Sequence, residues 1–115
     1  MSDESSTSRV AGIHVDLDLL FAHVKALREL ASDPDQSHNS ARVYDFSIRW
    51  GTLLYGRLER LAYYHRRGEL APDERARYES LRCELREVLP LVERLGLARP
   101  RVALEDARGT GVQPA

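Results

Sequence analysis

Three stretches of the chain alternate apolar and polar positions at helical spacing. The longest runs from residue 40 to 68, SARVYDFSIRWGTLLYGRLERLAYYHRRG, and contains no proline. At about 100° per residue, its apolar positions run from Phe46, Leu53 and Tyr64 at one edge to Tyr44, Ile48 and Tyr55 at the other. Trp50, Leu54, Leu58 and Leu61 lie between them. This arc covers roughly 220°, about twice the stripe of an ordinary surface helix. A helix so widely apolar calls for cover on two sides, so it is expected to be the central helix of a bundle. Gly51 falls inside the arc, where glycine weakens a helix, and close approach of a neighbouring backbone is the expected compensation.

Leu17, Leu20, Phe21, Val24, Leu27 and Ala31 recur at threes and fours, which predicts a helix over 16–31. Asp16 is expected to cap it, and Asp18 suits the dipole of its first turn. Tyr78, Leu81, Leu85, Val88, Val92 and Leu95 form the two-in-seven seam of coiled-coil-like packing and predict a helix over 72–95. Pro72 fits its first position, and Pro90 is expected to kink it. The polar run SDPDQSHN at 32–39 breaks the first helix from the second, and Ser37, Asn39 or Ser40 would cap the latter. Gly68 and Gly96 read as stop residues in the left-handed region, with Leu97 folding back onto the last turn. The short link after Gly68 makes consecutive helices antiparallel. The expected fold is all-α: an antiparallel three-helix bundle with a long central second helix. Its domain spans 13–98, between a disordered tail over 1–12 and a flexible tail over 99–115.

A chain of 115 residues with 43% hydrophobic and 30% charged residues makes one globular domain with a core of modest size, which dimerisation would enlarge. Its net charge of −1 supplies no general footprint for nucleic acid or an anionic membrane. No apolar run approaches the ~20 residues that cross a bilayer. The start, MSDESSTSRV, lacks the pattern of a signal peptide, so a cytoplasmic location is expected. Lys25 is the only lysine, a codon bias that points to a GC-rich genome, and a bacterial source is expected.

Catalytic, metal and cofactor motifs are missing from the pattern. His14, Asp16 and Asp18 alternate without ligand spacing, and His23 and His65 read as core-edge histidines. Cys83 lies opposite the leucine seam between Glu79 and Glu87, whose charges disfavour a thiolate. Trp50 and Gly51 are adjacent in mid-helix, so the Trp-x-Gly turn of small WXG-type helical proteins is not matched. No enzyme and no cofactor is expected.

Two surfaces remain. The edges of the long helix, Tyr44, Ile48 and Tyr55 on one side and Phe46, Leu53 and Tyr64 on the other, suit a partner interface. The expected function is therefore that of a non-catalytic interaction module, a homodimer or the partner of another helical protein. The alternative is nucleic-acid binding or regulation through Arg42, Arg49, Arg60 and Arg67, which a regular helix would align, with Tyr63 stacking on a base. Asp45 and Glu59 interrupt that row, and a solvated face accounts for it equally well.

Overall fold

Gly12 sets the start of the first helix. It adopts φ 82°, a left-handed conformation in which a side chain would be strained, and its carbonyl accepts the Asp16 N–H at 3.0 Å. The computed structural model describes residues 9–104. Helix α1 spans Ile13–Ser32 and thus begins three residues before the expected cap. Ile13, Leu17, Leu20, Val24, Leu27 and Leu30 are buried along one stripe. The early start also turns Asp16 inward, so it does not cap the helix.

The polar break contains one turn of helix, α2 (Pro34–Ser37), capped by the Asp33 carboxylate on the Asp35 N–H at 3.0 Å. Asn39 then caps the long helix, its side-chain oxygen accepting from Ala41 and Arg42 at 3.1 and 3.2 Å. That helix has three contiguous parts: α3 (Ser40–Leu53), a π-helical turn (Leu54–Leu58) and α4 (Glu59–Arg66). It ends at Gly68, φ 70°, with the Glu69 N–H donating to the Tyr64 carbonyl at 3.0 Å. Helix α5 (Pro72–Arg94) starts at a proline. Its buried Glu74 accepts the Ala71 N–H at 2.7 Å, which is one half of a capping box, since Ala71 has no side-chain oxygen to reciprocate. The helix continues through Pro90 and stops at Gly96, where the Leu97 N–H reaches the Val92 carbonyl at 2.9 Å and the Leu97 side chain is buried.

The described residues are mostly helical and contain no strand. Close backbone approaches run from α1 to α5, to α3 and to the π turn, so the shared position falls to α1, where the long helix was expected. Pairings along the elements give their directions. His14 meets Asp73, Arg28 meets Glu87, and Arg94 donates to the Ala31 carbonyl, so α1 and α5 run the same way. Asp16 meets Arg57 and Arg60 while His23 meets Phe46, so α1 and the long helix run in opposite directions.

The long helix is covered by α1, by Tyr78 of α5 and by the segment after Gly96, and the π turn keeps its apolar series on the α1 side. Residues four apart in an α-helix drift about 40° per step. By Leu58 the series Phe46, Trp50, Leu54, Leu58 would stand about 120° from its start. The wider π turn takes that drift back, and all four side chains are buried. Burying Leu54 and Leu58 contributes roughly 3–6 kcal/mol in total, against about 1 kcal/mol for one lost regular hydrogen bond.

Past Gly96 the chain lies against the long helix and α5. Trp50 Nε1 donates to the Ala98 carbonyl at 2.8 Å, Arg101 pairs with Glu59 at 2.9 Å, and Arg86 donates to the Leu104 carbonyl. The segment from residue 99, expected as a tail, makes these contacts as far as Leu104. Of the tail expected over 1–12, residues 9–12 are described and not free: Val10 packs against the core, and the Ala11 and Gly12 carbonyls accept from Arg60 and Asp16. Residues 1–8 and 105–115 lie outside the described residues.

No neighbouring backbone closes on Gly51. A Cβ there would meet only the Tyr55 ring, at 4.0 Å. Gly51→Ala is therefore expected to stabilise the fold by about 0.5–1 kcal/mol, read as a higher midpoint in urea denaturation.

Candidate functional site

The two edges of the long helix have different fates. Tyr44, Ile48 and Tyr55 remain 65%, 53% and 49% exposed, one or two turns apart along one face. Tyr55 lies under the Arg101 guanidinium, 4.5 Å from ring centroid to Cζ. The opposite edge turns inward. Phe46 is buried and stacks on Trp50 at 5.9 Å, while Leu53 and Tyr64 are half-buried against the core. Phe46, Leu53 and Tyr64 are thus core and core-edge residues, Phe46 against His23 of α1 and the other two packed against the core, rather than an exposed edge. Val15 and Leu19 of α1 are the other exposed aliphatics, a feature the sequence pattern did not single out.

The arginine row is divided by the same turn. Arg42 and Arg49 line a cleft of about 270 Å³ against α1, together with Glu29 and Asp45. Arg67 binds Glu69 at 3.0 Å and lies over the Tyr63 ring, and this hydrogen bond to Glu69 raises its pKa. Arg60 points at α1. Its Nη1 donates to Asp16 Oδ2 at 2.5 Å, its Nη2 donates to the Ala11 carbonyl at 2.6 Å, and its Cζ stands 5.5 Å from the Tyr64 centroid.

Arg57, which no local spacing marked, completes this cluster. Its Nη1 donates to Asp16 Oδ1 at 2.5 Å. Asp16 is 1% exposed, so one buried carboxylate holds two guanidiniums, one on each oxygen. The partners are separated by 41 and 44 positions in the chain. The early start of α1 aims Asp16, and the π turn aims Arg57 and Arg60.

Three of the four histidines, His14, His23 and His65, are held by neighbours. Arg77 only donates, so His14 Nδ1 accepts from it at 2.8 Å and Nε2 faces Asp73 at 3.3 Å. Arg77 also binds Asp18 at 2.7 Å, which ties His14 and Asp18 to α5. His65 lies against the Tyr78 ring, and burial pushes the Tyr78 hydroxyl above its ordinary pKa. His23 packs on Phe46 at 5.5 Å. Cys83 is exposed, with Glu87 3.8 Å from its sulfur. Among the described residues no three His, Cys, Asp or Glu side chains converge as a metal-binding group, and no helix is long and apolar enough to cross a membrane.

Comparison with protein-family models, with curated proteins and with solved structures returned no match to the chain.

Two measurements follow from this geometry. Asp16→Asn removes a buried charge from between two half-exposed arginines, and solvent reaching those arginines limits the loss. Denaturant unfolding is expected to show a loss of about 1–3 kcal/mol. Burial lowers the His23 pKa below its usual 6.5, Arg49 acts in the same direction, and a hydrogen bond to the Leu19 backbone opposes them. The folded state therefore resists protonation that the unfolded chain accepts. Its contribution is intact above 6.5, declines as pH falls through 6.5, and levels off below the folded value. Lowering the pH from about 7.5 to about 5.5 is expected to reduce the melting temperature more in the unmodified protein than in His23→Gln.

Proposed function

We propose that the chain is a non-catalytic helical interaction module, an antiparallel three-helix bundle that pairs with a second copy of itself through the outer edge of its long helix. The observation that carries this reading is the alignment of Tyr44, Ile48 and Tyr55 on one face, each about half exposed or more. Single exposed apolar residues are ordinary, whereas an aligned row of large ones between polar neighbours favours a partner. Tyrosine suits such a place, since it supplies a broad apolar surface and a polar tip. Ser47 and Thr52 flank the row, and their hydroxyls are already turned back onto the Tyr44 and Ile48 carbonyls, at 2.7 and 2.9 Å. Pairing would therefore not strand them. A bacterial setting is part of this reading, supported by the near-complete use of arginine in place of lysine.

The nucleic-acid alternative draws less support. Arg60 and Arg67 hold carboxylates, which leaves Arg42 and Arg49 beside Glu29 and Asp45.

Light scattering over a range of concentrations tests the pairing. The unmodified protein is expected to approach twice the chain mass of 13.1 kDa as concentration rises. Ile48→Asp is expected to weaken association by about 100-fold or more with an unchanged helical circular dichroism spectrum. A single-chain mass for the unmodified protein at every concentration would refute the reading.

A further inference from the structure

The groove between the start of α1 and the middle of the long helix is a second feature, which adjoins the exposed edge at Thr52. It holds about 600 Å³ and contains Arg57, Arg60 and Asp16 together with Val15, Leu53 and Gly56. We infer that it binds a small organic monocarboxylate, with the carboxylate on Arg57 and an apolar body between Val15 and Leu53.

The charges define the ligand. Two guanidiniums meet one carboxylate, so the groove keeps one positive charge. Asp16 has an arginine on each oxygen. Arg60 is committed to Asp16, to the Ala11 carbonyl and to the Tyr64 ring. Arg57 differs. Its side chain is 45% exposed, and its bond to Asp16 uses Nη1. Among the described residues no other acceptor meets its remaining donors. Asp16 thus acts as a positioning residue that holds the Arg57 guanidinium at the groove floor. A planar carboxylate matches the two-pronged face of such a group. One residual positive charge suits a monoanion. A phosphate dianion would bring a second negative charge toward the buried Asp16 carboxylate without a further cation to meet it.

The walls define the rest. Val15 is 55% exposed and lines the groove together with Leu53 and Thr52. Gly56 leaves the wall open, since a Cβ there would meet nothing within 4 Å. The π turn that contains Gly56 and Arg57 is a feature often found where helices carry a ligand site.

Calorimetric titration of the full chain with sodium hexanoate, sodium acetate and inorganic phosphate tests the inference. Hexanoate is expected to bind, with about fourfold gained per methylene over acetate where the methylenes are buried, and phosphate to bind more weakly than hexanoate. Arg57→Gln is expected to weaken hexanoate at least tenfold while the Asp16–Arg60 pair keeps α1 in place. Gly56→Leu fills the wall without altering any charge, and because the space there is open it folds; it is expected to abolish binding. No heat with hexanoate at millimolar concentration overturns the inference. So does phosphate binding as tightly as hexanoate, or hexanoate binding that survives both substitutions.

Discussion

The long helix has to keep one face on α1 through α3 and into the π turn, and α-helical winding does not allow that. Side chains four positions apart advance around the axis, so Phe46, Trp50, Leu54 and Leu58 would spiral off the contact. The π turn at Leu54–Leu58 reverses the drift within one turn. It loses some regular hydrogen bonding, and the burial of two leucines outweighs that loss. Much of the molecule's arrangement depends on this correction. Leu61 and Ala62 return to the core, and Trp50 is placed where its indole N–H meets the Ala98 carbonyl, which brings the chain after α5 against the long helix.

The same turn organises the charged residues. Without it, Arg42, Arg49, Arg60 and Arg67 would lie in a row facing solvent. With it, Arg57 and Arg60 converge on Asp16, a carboxylate almost wholly removed from water. A lone buried carboxylate would be costly; two guanidiniums, each partly in solvent, offset that cost by supplying charged hydrogen bonds to both oxygens. The cluster joins the start of α1 to the middle of the long helix and leaves an open groove beside it. What the correction does not bring inward is Tyr44, Ile48 and Tyr55, and these remain as the outer face.

Much of this was legible in the residues. Threes-and-fours spacing located the three long helical segments, because burial of a stripe is a local consequence of helical period. Gly68 and Gly96 marked the stops, since both needed positive φ. Pro72 marked a start, and the angle of Cys83 opposite the leucine seam placed it on an outer face. Other features were hidden. Asp16 looked like a cap because its position near a helix start suits either role, and only the location of Gly12 in the left-handed region moves the helix start back and turns Asp16 inward. The wide apolar arc of the long helix came from assuming uniform winding, which made the long helix look central and α1 peripheral.

The sequence by itself determined the class of the fold, the extent of its helical segments and the shared edge of Tyr44, Ile48 and Tyr55, because each follows from period, capping and turn chemistry within a few residues. That this edge and not the other stays exposed was left to the tertiary structure. Tertiary structure alone decided the central place of α1, the π turn, the pairing of Asp16 with Arg57 and Arg60, and the inward turn of Phe46, Leu53 and Tyr64. These depend on where a second helix stands, and a residue's angle about its own axis carries no information about a neighbour some forty positions away.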